Sequence, residues 1–206
     1  MKLVDVLARL LRMEAPVFAT ADAAAHLGAR SALVSTMLAR LAGAGHLVKL
    51  GRARWAVPGQ ASALQAGHLL TAPFPAYVSL QTALFHHGMI SQMPEVIYVV
   101  SLARTQRRAT PLGTFSIHHV QPAFFFGYAV LADGVTQMAV PEKALLDFLY
   151  LAPARSKLFR ALPELELPAG FSVRRARAML LRLPATPRRT HALRLLARIS
   201  SSAAKP

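Results

Sequence analysis

Apolar residues recur at helical spacing from the start of the chain. Leu3, Val6, Leu7, Leu10 and Leu11 form one stripe, which predicts a first helix ending ahead of Pro16. Thr20 can cap a short second helix, ADAAAHL, that Gly28 stops. Ser31 can cap a third, ALVSTMLARLAGAG, with Leu33, Val34, Met37, Leu38 and Leu41 facing inward. The pattern then changes to two short runs, HLVKL and RWAV, about Gly51 and Arg52, as in a hairpin. Three helices and a basic hairpin are the order of a winged helix-turn-helix, expected over residues 1–58. In that arrangement the third helix enters the major groove and the hairpin lies along the backbone. Arg30, Ser35, Thr36 and Arg40 would then face base edges and phosphates, and Lys49, Arg52 and Arg54 would line the wing. Trp55 is expected to anchor the wing on the helices.

Residues 59–74 carry little charge and are broken by Gly59, Pro73 and Pro75 just beyond, so they are expected to be a linker with about one helical turn. Residues 75–206 form the second expected unit. YVSLQTALFHHGMI predicts a helix with Ser79 as N-cap and Gly88 just past its end. EVIYVVSL and GTFSIHHVQ predict strands, separated by a polar loop, ARTQRRATPLG, that holds Arg104, Arg107 and Arg108. FFFGYAVLADGVTQMAV predicts two more strands about a two-residue Asp133–Gly134 turn. The fold class expected is α+β: a winged helix-turn-helix, then a unit with a mainly antiparallel sheet and C-terminal helices. Three short helices are expected after residue 151, separated by Pro163, Pro168, Pro184 and Pro187, and SSAAKP is expected to fray.

Charge sharpens the functional side. The 206 residues hold 24 Lys and Arg against 9 Asp and Glu, a net charge of +15, which points to a polyanionic partner. Residues 1–60 carry eight basic against three acidic residues, residues 61–150 four against four, and residues 151–206 twelve against two. The positive charge therefore sits at the two ends. The arginines of the C-terminal segment lie opposite apolar stripes such as Ala176, Met179, Leu180 and Leu183, for which DNA, RNA, an acidic protein surface or plain solvent are all acceptable counterparts. Cysteine is absent, so disulfides, thiolate metal sites and cysteine nucleophiles are excluded. No secretion signal or apolar run of spanning length is evident, and a cytoplasmic location off the membrane is expected. The two His-His pairs cannot aim both rings at one ion from adjacent helix or strand positions, so no metal and no cofactor are expected. No nucleophile–base pair, phosphate loop or metalloprotease motif is present, and an enzyme is not expected.

QMAVPEKALLDFLYL places Glu142, Lys143 and Asp147 in an apolar stretch. Pro141 suits the first helical position and Glu142 the positive helix end. Lys143 and Asp147 stand at i and i+4, a pair worth at most about 0.5 kcal/mol if exposed. Glu142 and Asp147 point about 140° apart and do not converge on one substrate atom.

Tyr77 with SLQTALFHHGMI, the Arg-rich loop ending TPLGTF, then HHV, FGY and MAVPEKALLDFLY resemble the AbiEi antitoxins of type IV toxin–antitoxin systems. The resemblance spans nearly the whole chain, and its most specific part is the PEKALLD stretch with the upstream serine-to-HG segment. It implies a bifunctional protein: an autorepressor that binds inverted repeats in double-stranded operator DNA through the winged helix, and an antagonist of a co-encoded nucleotidyltransferase-like toxin. Stable binding to the toxin is not implied. The expected DNA contacts are Arg30, Ser35, Thr36, Arg40, Lys49, Arg52 and Arg54, and the candidate antitoxin surface is Arg104, Arg107, Arg108, Glu142, Lys143 and Asp147. The competing expectation is a winged-helix regulator whose second unit senses a ligand or dimerises.

Overall fold

The computed structural model describes residues 2–152 and 164–203 as an α+β protein. The first unit contains α1 (Leu3–Leu11), β1 (Val17–Ala19), α2 (Thr20–Leu27), α3 (Ser31–Gly43), β2 (Val48–Gly51) and β3 (Arg54–Ala56). Its strands form an antiparallel sheet in the order β1-β3-β2. Val6, Leu10, Phe18, Ala23, Leu27, Val34, Leu38, Leu41 and Trp55 close one core between the helices and one face of this sheet. Trp55 anchors the hairpin as expected, its indole N–H donating to Thr20 Oγ1 at 2.9 Å. Thr20 is thereby diverted from capping, and Asp22 takes the role by accepting the Ala19 N–H at 2.9 Å. The α3 face differs in one position: Leu33, expected inside, is half exposed.

The segment expected as a linker holds a nine-residue helix, α4 (Ala63–Thr71). Ser62 and Gln65 form a reciprocal capping box at its start, the Ser62 N–H donating to Gln65 Oε1 at 2.9 Å. Ala66, Leu69 and Leu70 are buried, so α4 belongs to the core. They share one cluster with Val17, Leu50 and Ala56 from the back of the small sheet and with Ala76, Val99, Phe115 and Ile117 from the strands beyond. Apolar contact is thus continuous from the first unit into the second.

The larger sheet runs β6-β7-β5-β4-β9-β8. Its strands are β4 (Ala76–Val78), β5 (Ile97–Ser101), β6 (Gln106–Thr110), β7 (Gly113–His119), β8 (Tyr128–Val130) and β9 (Gln137–Ala139). The β4–β5, β6–β7 and β8–β9 pairings are antiparallel, while β4–β9 and β5–β7 are parallel. The segment expected as a polar Arg-rich loop contains β6, the edge strand of this sheet, where polar residues can remain wet on the unpaired side. The turn after β8 is longer than two residues: Leu131 N–H donates to Thr136 O at 2.8 Å, and Asp133 accepts from the backbone of Val135 and Thr136 within it.

Helices α5 (Leu80–His86), α6 (Pro141–Leu151), α7 (Val173–Leu181) and α8 (Pro187–Ala203) cover the other face of the sheet. Ala176, Leu180, Leu183, Ala192 and Leu196 fasten α7 and α8 to α6. The helix expected soon after residue 151 falls within 153–163, outside the described residues, as does the end of the tail at 204–206. No described helix is long and apolar enough to cross a membrane.

Candidate functional site

The first group of interest lies on α3 and the hairpin. Arg30, Ser35, Thr36 and Arg40 are exposed, on the side of α3 away from Val34, Leu38 and Leu41. Thr36 Oγ1 donates to Ala32 O at 3.2 Å, which leaves the methyl and the oxygen lone pairs outward. Lys49 and Arg52 are exposed on the hairpin, with the Lys49 ammonium 5.9 Å from the centroid of the Trp55 ring.

Arg54 stands apart from these. Its guanidinium donates to Leu69 O, to Ala72 O at 2.7 Å and to Arg52 O at 3.1 Å. The first two are carbonyls at the C-terminal end of α4, where a cation complements both the unpaired acceptors and the helix dipole. Arg54, expected as a phosphate contact, therefore ties the hairpin to α4. Burial, followed by the nearby Arg108 charge, lowers its pKa from the usual value.

The second group, expected in a capped, packed helix and offered also as a candidate antitoxin surface, is buried, as the packed helix requires and a surface does not. Glu142, Lys143 and Asp147 have relative exposures of 1%, 0% and 0%. Lys143 Nζ pairs with Asp147 Oδ1 and sits 3.5 Å from the Phe124 ring centroid, with the Phe126 and Tyr77 rings farther round it. Asp147 Oδ2 accepts from Ser79 Oγ at 2.7 Å and from Tyr77 Oη at 3.1 Å. Tyr77 in turn stacks on Tyr128, their centroids 4.7 Å apart. Gly127, between Phe126 and Tyr128, has φ of 78°, and a Cβ there would meet Lys143 Cγ at 3.1 Å. Leu80, at the joint of β4 and α5, takes φ of 53°, a costly conformation for leucine at the turn that follows Ser79.

Three sequence stretches therefore converge on one buried ion pair. Tyr77 and Ser79 come from the β4–α5 joint, Phe124 to Tyr128 from the connection before and into β8, and Lys143 with Asp147 from α6. Burial is the first influence on both partners: it lowers the Lys143 pKa and raises that of Asp147, and each charge counters the other's shift. Tyr77 is held well above its usual value by burial and by the adjacent Asp147. Ser79, expected as an α5 cap, gives its hydroxyl to Asp147 instead. The sequence signal for this burial was present: Ala144, Leu145, Leu146, Phe148, Leu149 and Tyr150 leave α6 no polar side.

Glu142 is engaged differently. Its Oε1 accepts the Ser172 N–H at 2.9 Å and Arg175 Nη1 at 3.0 Å, while the buried Oε2 has no hydrogen-bond partner among the described residues. A cavity of about 460 Å³ borders it, lined also by His87, Tyr128, Arg175 and Met179. His87 Nε2 lies 2.7 Å from Ala139 O.

The arginines expected as one surface are divided. Adjacent strand residues point to opposite faces. Arg107 is exposed and borders a cavity with Tyr98 and Glu95, whereas Arg108 lies on the opposite face, in register with Phe115. Arg104 is exposed in the loop before β6. Among the described residues no three His, Asp or Glu side chains gather as a metal site. No protein-family model matches the chain, and no curated protein matches it.

Proposed function

We propose that the chain is a bifunctional antitoxin and transcriptional autorepressor of the AbiEi type. Residues 1–58 act as a winged helix-turn-helix on inverted repeats in the operator of its own operon, and the second unit counters a co-encoded nucleotidyltransferase-like toxin. The observation that carries the DNA-binding half is the polar outward face of α3, Arg30, Ser35, Thr36 and Arg40, beside a hairpin that exposes Lys49 and Arg52. Short hydroxyls and guanidinium groups on a rigid helix suit base edges, and flanking cations suit phosphates. The antitoxin half rests on the resemblance of the Tyr77, FGY and PEKALLD stretches. Because Glu142, Lys143 and Asp147 are buried, any toxin-directed surface falls on exposed residues such as Arg104 and Arg107.

Two measurements test this. The full-length protein should shift a duplex from its own promoter region, with log Kd rising by roughly 0.9 per phosphate contact for each tenfold increase in salt. Co-expression should relieve the growth arrest caused by the neighbouring gene product. Undiminished toxicity beside soluble protein would sink the antitoxin half, and the lack of any promoter shift at low salt would sink the other.

A second reading is a winged-helix regulator whose second unit senses a ligand. The cavity beside the unpartnered Glu142 Oε2 favours it. A small N–H donor that raises the melting temperature and alters promoter affinity in wild type, but not in Glu142→Gln, would decide for it.

A further inference from the structure

The outer strand of the small sheet, β2, lies against the outer strand of the large sheet, β6. Leu50 of β2 and Phe115, the register partner of Arg108, belong to the same buried cluster beneath this seam. Arg108 is half-buried at its rim, near Arg54 at the base of the hairpin, and Arg52 is exposed at the hairpin turn. Arg54 and Arg108, from two sheets, thus lie within electrostatic reach of each other, and Arg54 also donates to the backbone carbonyl of Arg52 at 3.1 Å.

Their hydrogen bonds leave their charge intact. Arg108 Nε donates to the neutral Gln106 side chain at 3.0 Å, and Arg54 donates to carbonyls. The ion pairs among the described residues are Lys143–Asp147 and Arg175–Glu142, neither of them at the seam. Like charges held close without an ion pair raise the energy of the free protein, and a polyanion lying across them lowers that cost. Duplex DNA carries one negative charge per about 1.7 Å of axis. On the operator-binding reading, an outward cation beside the hairpin is within reach of the phosphates next to those the hairpin would contact.

We infer that the operator-binding surface does not end at the wing but continues across the β2–β6 seam, where Arg108 of the second unit contacts the phosphate backbone next to Arg52. This inference rests on the operator-binding reading of residues 1–58. It reassigns Arg108 from a toxin-directed surface to the DNA, and it makes the orientation of the two units part of the footprint.

The test is the salt dependence of promoter-duplex binding by the full-length protein, read by fluorescence anisotropy, for wild type, Arg52→Gln, Arg108→Gln and Arg108→Lys. Arg108→Gln should reduce the slope of log Kd against log salt by about 0.9, which is about an eightfold loss of affinity at 0.1 M salt that fades toward 1 M. Arg108→Lys, which keeps the charge, should retain most of the slope. Trimming the duplex back to the repeats should lower wild-type affinity and cancel the effect of Arg108→Gln, while Arg52→Gln keeps its effect. A wild-type slope in Arg108→Gln beside a reduced slope in Arg52→Gln overturns the inference and leaves operator binding standing. So does a loss that is the same at every salt concentration or is shared by Arg108→Lys, because that marks a structural role. Absence of any promoter binding by the wild type removes the operator reading itself, and the inference with it.

Discussion

A lysine ammonium that loses all its water must be compensated within a few ångströms, and Lys143 has one carboxylate and one close aromatic face. Asp147 is compensated more fully, by that ammonium and two hydroxyls. Removing one partner strands the other in a dry core. Lys143→Met should therefore cost about 3–5 kcal/mol in urea unfolding. The double variant Lys143→Met, Asp147→Asn should cost clearly less than the sum of the single variants, since Asn still accepts from Tyr77 and Ser79. Single effects that add to within about 0.5 kcal/mol would show that the two groups are not coupled. His118 offers a separate test. It lies in β7 beside Ser116, 3.0 Å away, and Tyr98, and burial lowers its pKa to about 4. With the unfolded value near 6.5, the unfolded chain binds the extra proton between those values. Stability contributed by neutral His118 is then complete above pH 6.5 and is lost as pH falls through about 4, by up to about 3 kcal/mol. His118→Gln should flatten that part of the stability–pH curve, and an unaltered acid limb would refute the assignment.

At the scale of elements, hydroxyl side chains show where periodicity informs and where it misleads. Ser62 caps α4 as a Ser does by local rules, but Thr20 and Ser79, read as caps from the same rules, are taken by Trp55 and Asp147 from distant parts of the chain. Local spacing located the described helices other than α4, and the hydrophobic strands β5 and β7, because these carry a period. It could not reveal β1 and β4, which are three residues long, or β6, whose QRRAT sequence is that of a wet edge strand. The candidate DNA-contact side chains on α3 were legible because exposure follows helix phase. The role of Arg54 is not legible in the sequence, since its partners Leu69 and Ala72 belong to a segment that reads as a linker. Arg54 predicts its own outcome. Arg54→Met should lower stability by about 1–2 kcal/mol through lost carbonyl contacts and speed proteolysis near residue 60. Arg52→Met, exposed at the turn, should leave both unchanged. Equal stability of the two variants would remove Arg54 from the role of fastening the hairpin.

At the scale of the whole molecule, charge and apolar contact divide the chain differently. The charge map cuts near residue 60, and a division of labour at that point would make residues 61–206 a free-standing unit. The apolar map has no such cut. The back of the small sheet, through Val17, Leu50 and Ala56, completes the core formed by α4 with Val99, Phe115 and Ile117. Deleting residues 1–60 would uncover that cluster, including the wholly buried Phe115 and Ile117, and would strip α4 of the Arg54 contacts at its C-terminal end. At roughly 25 cal/mol per Å² of apolar surface, exposing even a few such side chains costs several kcal/mol, a large share of the stability of a domain this size. The truncated chain should therefore unfold at a lower urea concentration than the full chain and bind a hydrophobic dye when folded. Replacing Phe115 and Ile117 with polar residues in the truncated chain should reduce dye binding without restoring promoter binding. A truncated chain that unfolds at the same midpoint as the full-length protein and binds no dye would show that the two units are thermodynamically independent and that the shared cluster contributes nothing to holding them together.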